Sequence, residues 1–262
     1  MAHGNEWTGL NFPAVAGGKR CAVGDIEAAL RSETIRPLDN ETIDRQTEVT
    51  VFGCDIGKDT VLLHALSLAL GGADEDRPTV RSARFFNLFL EKNGKIERFW
   101  AENAFVAIPA GSFPGNRAIA QKLAEKYPVD PTDWRAALCR LRPENPSDPF
   151  VHYFNIPVRW TTVYRDSAGR PELCGPSDCL VWVKKQPELM ATLQKMGLPP
   201  ENFRWEMEAS SISTPDGRTL PTISAEGQAI IYCVLKPVTE GEAGRRFFKP
   251  AATDGRYFAS VR

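Results

Sequence analysis

A strand-to-helix junction in the first quarter of this 262-residue chain has residue types suited to phosphate binding. Residues 53–60 read GCDIGKDT, so a lysine and two glycines precede a predicted helix. Helix N-terminal amide groups and a lysine stabilise phosphate oxygens at such places. Here only three residues separate the glycines, and Asp59 replaces the hydroxyl residue that should follow the lysine. We therefore predict an ordinary turn in which Asp59 or Thr60 caps the helix, and no NTPase activity.

A second segment, near residue 250, combines glycines, cations and aromatic side chains. Glycine permits a close backbone approach, cations favour an anion, and aromatic rings can stack on bases. A solvated loop is the alternative interpretation. The residues concerned are Gly241, Gly244, Arg245, Arg246, Phe247, Phe248, Lys249, Arg256 and Tyr257.

Other basic positions add to this picture. Arg135, Arg140 and Arg142 lie along a predicted helix over 133–141 and just beyond it, and arginine binds phosphate oxygens in pairs. Cations at the end of a helix also compensate the helix dipole, and this explains the presence of Arg140 and Arg142 nearly as well. Segment 77–100 holds six cations, two glutamates and five aromatic residues, which indicates either a base-stacking sheet or a hairpin whose aromatics face the core. His152 is the histidine best placed to be a general acid or base.

The elements that must position these residues indicate an α+β fold. Strands are predicted at 48–52, 84–90, 96–107 and 151–164, and helices at 25–32, 59–70, 116–126 and 133–141. The order β-α-β-β-α-β with a central hairpin is the ferredoxin-like pattern. The later part of the chain is predicted to be β-rich, with strands at 179–184, 203–211, 228–235 and 257–261 and one helix at 187–196. The proline-rich segment 143–149 predicts a boundary between regions 1–142 and 150–262.

This topology, with a glycine-rich basic segment near the C-terminus, resembles the RAMP superfamily of CRISPR-associated RNA-binding and RNA-processing proteins. The resemblance covers residues 48–164 as topology and 241–260 as a motif. It implies that Gly241, Gly244, Arg245, Arg246 and Lys249 contact the RNA backbone. It also implies metal-independent RNA cleavage, with His152, Arg245 or Arg246 as the catalytic groups.

Composition limits the remaining classes. The net charge of −1 provides no global field for nucleic acid, so an RNA site requires a local patch. No apolar run is long enough to span a membrane, and six scattered cysteines with three isolated histidines predict neither a metal site nor a cofactor. Reduced thiols are expected in the cytoplasm, with a Cys174–Cys179 disulfide as the alternative in an oxidising compartment.

The sequence thus favours an RNA-binding protein of a ribonucleoprotein, with RNA and other protein subunits as partners and no membrane. Two alternatives stay open at this point. One is a small-molecule enzyme with a pocket between the two halves and an acid such as Asp55 or Asp178 in catalysis. The other is a non-catalytic assembly subunit that uses aromatic surface to bind its partners.

Overall fold

The computed structural model describes residues 4–11, 13–16, 21–72, 75–92, 94–172, 175–214, 216–241 and 244–262. These residues form helices and sheets, and the second half of the chain is rich in strand, as the sequence predicts. The chain divides into two compact units that are interleaved in sequence. Unit 1 contains residues 1–104, 140–150 and 234–262, and unit 2 contains residues 105–139 and 151–233. Segment 143–149, where we expected a boundary, therefore lies inside unit 1.

Unit 1 is built around a three-stranded sheet and two helices. The helices are α1 (Val23–Arg31) and α2 (Thr60–Leu70), and a short 3-10 helix covers Ile56–Lys58. The strands that lie wholly in unit 1 are β1 (Gly4–Asn5), β2 (Gly9–Leu10), β3 (Glu48–Val51), β4 (Thr79–Ala83), β5 (Phe86–Lys92), β10 (Thr239–Glu240), β11 (Arg246–Phe247) and β12 (Phe258–Val261).

The sheet order in unit 1 is β12-β4-β3, in which β3 is parallel and β12 antiparallel to β4. Helix α2 packs against β4 and β12 through a core that includes Leu62, Leu63, Val80 and Ala259. The helix begins where the Asp59 carboxylate accepts a hydrogen bond from the Leu62 amide at 3.1 Å, so the predicted cap is found.

The ferredoxin-like arrangement is not confirmed. Helix α2 is followed by β4, which the sequence reading missed, and it is β4 that pairs with β3. The predicted hairpin, β5 with β6 (Lys95–Pro109), belongs to a different sheet with the order β5-β6-β9-β7. The missed strand carries Arg81 at its centre, and that charge is paired with Glu48 on the adjacent strand at 2.6 Å.

Unit 2 contains a sheet and four helices. The helices are α3 (Gly115–Lys126), α4 (Trp134–Ala137), α5 (Pro176–Lys184) and α6 (Pro187–Lys195), with a 3-10 helix over Pro200–Asn202. Its strands are β7 (Phe150–Val163), β8 (Arg204–Ser213) and most of β9 (Thr219–Pro237). Strand β8 pairs antiparallel with β9, from Arg204 opposite Gln228 to Ser213 opposite Thr219. Strands β6, β7 and β9 each have residues in both units, although only Phe150 of β7 belongs to unit 1.

Two predictions for unit 2 need correction. Residues 179–184 are the last part of helix α5 and not a strand. The helix predicted over 133–141 has only one turn, Trp134–Ala137, which Asp133 caps by accepting from the Ala136 amide at 3.0 Å. In the part of the chain that the structure describes, no helix is long and apolar enough to cross a membrane.

Candidate functional site

The basic C-terminal segment forms a small hairpin in unit 1. Strands β10 and β11 pair antiparallel, with Thr239 opposite Phe247 and Glu240 opposite Arg246. Gly241 and Gly244 lie where the chain reverses, at φ of 81° and 64°. An L side chain rarely adopts such values, so both glycines are required by the turn. We call residues 239–249 the arginine hairpin.

The aromatic residues of this segment do not form the exposed stack that we expected. Phe247 is buried and stacks on Phe99, with ring centroids 4.3 Å apart. Tyr257 is half-buried, and its ring lies 5.0 Å from that of Phe85 and 5.2 Å from that of Phe248. These rings fix the hairpin to the core, whereas the charged side chains of Glu240, Arg245, Arg246 and Lys249 are exposed.

Arg245, Arg246 and Lys249 are exposed, and none of them has an ion-pair partner among the described residues. Arg256 differs, because Asp254 accepts from its guanidinium at 2.7 and 3.0 Å. Desolvating an arginine that already has a carboxylate partner gives little net binding energy to an anion. Arg245, Arg246 and Lys249, which have no ion-pair partner in the described part of the chain, are therefore the cations available to phosphate.

Segment 140–149 of unit 1, with two arginines (Arg140, Arg142) and two acids (Glu144, Asp148), meets the arginine hairpin at Ser147. A Cβ atom on Gly244 would be 3.4 Å from Cβ of Ser147. Arg140 and Arg142 precede that serine in the same segment; Arg142 is exposed, Arg140 is half-buried, and neither has an ion-pair partner in the described part of the chain. Four of the arginines expected to bind RNA thus belong to two adjoining segments of one unit.

Arg135 and His152 belong to unit 2 and not to the unit of the arginine hairpin. Arg135 is exposed on α4. His152 is exposed on β7, and its ring meets the edge of the Phe154 ring with centroids 4.7 Å apart. The metal-independent cleavage that the resemblance implies stays a prediction.

The aromatic segment 84–100 is divided between core and surface. Phe86, Phe99 and Trp100 are buried, whereas Phe89 is 48% exposed. Arg98 donates to the Asn87 side chain at 2.7 Å and lies over the rings of Phe52 and Trp100 at 4.3 and 4.6 Å. Arg98 is therefore held by cation–π contacts within the protein.

The glycine-containing loop at 53–60 forms a polar cluster that the sequence reading did not predict. Lys58 Nζ donates to Asp55 Oδ2 at 3.1 Å, to Glu6 Oε1 at 3.3 Å and to Asn103 Oδ1 at 2.7 Å. The Glu6 amide donates to Asp55 Oδ1 at 3.3 Å. Gly57 allows the loop to lie against β4, because a Cβ there would be 2.3 Å from the Ser82 carbonyl oxygen.

Asp55 is fully buried and has a left-handed backbone, with φ of 46°. Burial raises its pKa well above the usual range, Glu6 raises it further, and Lys58 opposes the rise. Burial would lower the pKa of Lys58, but Asp55 and Glu6 more than offset this and raise it.

Asp178 lies in the first turn of α5, where a carboxylate stabilises the helix dipole. Cys174 lies outside the described residues, so the Cys174–Cys179 disulfide stays an alternative prediction. Comparison of this chain with protein-family models, with curated proteins and with solved structures gave no match.

Proposed function

We propose that this chain is an RNA-binding protein and that the arginine hairpin contacts the phosphate backbone of its RNA. The observation that carries the proposal is that Arg245 and Arg246 are exposed and have no ion-pair partner among the described residues, whereas Arg256 nearby in sequence is neutralised by Asp254. Guanidinium groups bind phosphate oxygens through paired donors, and unpaired ones do so without first breaking an ion pair.

The net charge of −1 gives the whole protein no attraction for RNA, so the proposal depends on the local cations of the arginine hairpin. Binding to a phosphate backbone depends on cations within about one Debye length of it, about 8 Å at physiological salt, and not on the total charge. Segment 140–149, which contains Arg140 and Arg142, meets the hairpin at Ser147 and brings two further cations into the same unit. The proposal keeps the RNA-binding half of the resemblance to the RAMP superfamily and does not require a ferredoxin-like sheet.

The test is the salt dependence of binding to a single-stranded RNA. Each phosphate contact contributes about 0.7 to the slope of log K against log salt for single strands. The variant Arg245→Ala/Arg246→Ala should lower that slope by about 1.4 and weaken binding by about 20-fold at 0.1 M salt. Running the same reactions with EDTA on a gel would also report any metal-independent cleavage, which His152→Ala should abolish.

The matched control is Arg117→Ala/Arg165→Ala. These two arginines are exposed, lack ion-pair partners among the described residues, and change the net charge by the same amount. Equal losses in both variants would show that net charge alone controls binding. An unchanged slope in the hairpin variant would remove the proposal.

A second candidate function is a small-molecule enzyme that uses the cluster around Asp55. The favouring observation is a buried carboxyl group, Asp55, in contact with Lys58 and close to Glu6. A general acid must hold its proton near neutral pH, and such an environment achieves this. If a screen of hydrolase and isomerase substrates finds turnover, Asp55→Asn should abolish it; turnover that survives this change would exclude Asp55 as the acid.

A further inference from the structure

Unit 2 contains a cavity of about 660 Å³ beside β9, at the point where β6 ends and β8 begins. The Ala110 amide, just after β6, donates to the Gln228 carbonyl oxygen at 3.1 Å, and Arg204 at the start of β8 is also opposite Gln228. The cavity lies between the residues that follow β6 and the first residues of β8. Its volume is within the range of small-molecule sites, about 300–1,000 Å³.

The walls of this cavity are apolar and aromatic. Phe203 and Trp205 contribute rings with centroids 5.4 Å apart, and Leu180 of α5 lies on the wall. The indole N–H of Trp205 donates to the Pro200 carbonyl oxygen at 2.8 Å. Because that donor is already used, Trp205 offers a ligand its ring rather than a hydrogen bond.

The charges on the cavity are balanced in pairs. Glu206 accepts from the Arg204 guanidinium, and Glu201 is paired with Lys184 at 2.6 Å. A simple anion or cation would find no strong net field there, and a hydrocarbon would cover three charged groups, Glu201, Arg204 and Glu206, without replacing their hydration. A flat, neutral ring with its own donors and acceptors fits both the aromatic wall and the polar rim.

We propose that this cavity of unit 2 binds a nucleobase. Nucleobases have a π-face for Trp205 and edge groups that can bond the Ser112 hydroxyl, the Glu206 carboxylate or the Arg204 guanidinium. The base comes either from a single-stranded RNA, which extends the proposed function, or from a free nucleoside. Only the first source rests on that function.

The test is to block the cavity with a bulky side chain that is introduced at the protein surface. Ser112 is exposed, so Ser112→Trp places a bulky side chain at the mouth without disturbing the core; Ser167→Trp adds the same group to an exposed loop of the same unit as the control. Leu180→Trp fills the cavity from the opposite wall as a second variant. Thermal unfolding confirms that each variant is folded.

Three probes distinguish a base supplied by an RNA strand from a free nucleoside. They are uridine or adenosine, measured by equilibrium dialysis, a single-stranded RNA, and an abasic oligomer of the same length. Loss of stacking should weaken base binding about 5- to 150-fold in Ser112→Trp and leave Ser167→Trp unchanged. Weaker RNA binding with unchanged abasic binding supports a base from the strand. Weaker nucleoside binding with unchanged RNA binding supports a free nucleoside.

Nucleoside and RNA affinities that are the same in wild type, Ser112→Trp and Leu180→Trp would overturn the inference. Its failure can be distinguished from failure of the proposed function. If the arginine hairpin does not bind RNA, wild-type protein fails to retain the RNA and the abasic oligomer but still binds nucleoside at the cavity. If only the cavity inference fails, Arg245→Ala/Arg246→Ala still lowers the salt slope and no variant alters nucleoside binding.

Discussion

The carboxyl group of Asp55 connects a single residue to the pH dependence of stability. Its pKa in the folded protein is raised, mainly by burial, above the value of about 3.9 for an unfolded aspartate. The folded state therefore binds a proton that the unfolded state releases as the pH rises above about 4. The free energy of unfolding must then fall with rising pH from about 4 up to the folded-state pKa.

We expect Asp55→Asn to flatten this dependence, because asparagine cannot ionise. Lys58 does not interfere, since its pKa is raised and it stays charged throughout this range. Urea midpoints at several pH values between about 4 and 8 would measure the difference. Glu41→Gln, at an exposed position, is the control and should keep the wild-type slope. A slope in Asp55→Asn as steep as in wild type would show that another group is responsible.

The cysteines offer a second test at the residue scale. Burial raises the pKa of Cys54 to about 11, so at pH 8 only about a thousandth of it is the reactive thiolate. Cys139 is exposed. In a thiol-reagent assay on the native protein, Cys139→Ser should remove one fast-reacting thiol, whereas Cys54→Ser should leave the fast phase unchanged. A fast phase reduced by Cys54→Ser would contradict the burial of that side chain.

At the scale of elements, two glycines predict opposite effects of the same substitution. A Cβ on Gly57 would lie 2.3 Å from a backbone oxygen of β4, so Gly57→Ala must displace the loop and should cost at least about 1–3 kcal/mol. Gly24 lies in α1 with open space at its Cβ position. Gly24→Ala should stabilise the protein by about 0.5–1 kcal/mol.

Denaturant midpoints of the two variants provide the measurement, and each variant is the other's control. A neutral or stabilising Gly57→Ala would mean that the loop does not lie against β4. A destabilising Gly24→Ala would mean that α1 does not include this position.

The elements that the sequence predicted well carry local signals. Asp59 before an apolar run and Gly71 after it define α2, which is found at Thr60–Leu70. Helix α5 was misread because Leu180, Val181, Trp182 and Val183 are typical of a strand; the start signal, Pro176 with Asp178 in the first turn, was local but was overlooked.

For the whole molecule, the interleaved units determine what can fold alone. A fragment of residues 1–142 keeps β3 and β4 but loses β12, whose Phe258 and Ala259 are buried in unit 1. We expect this fragment to lack a cooperative urea transition, while the full chain shows one under the same conditions. Dispersed amide NMR signals from the fragment would contradict this and would support the division that we first expected from the sequence.

The candidate sites show the same limit of sequence reasoning. The arginine hairpin could be found from sequence because its glycines and cations are consecutive. The roles of Glu6 and Asn103 could not be predicted from the sequence. These residues are 52 and 45 positions away from Lys58 in the chain and contact it only in the folded protein. The burial of Phe247 likewise depends on Phe99, far away in sequence.

The position of β12 also affects how the protein is made. Strand β4 ends at Ala83, and its antiparallel neighbour begins only at Phe258. At a translation rate of about 5–20 residues per second, the ribosome needs on the order of ten to thirty seconds to reach that neighbour. During this time one edge of β4 and the part of α2 that packs on β12 lack their cover. The nascent chain is therefore expected to depend on chaperones that shield such surfaces until synthesis has passed residue 261.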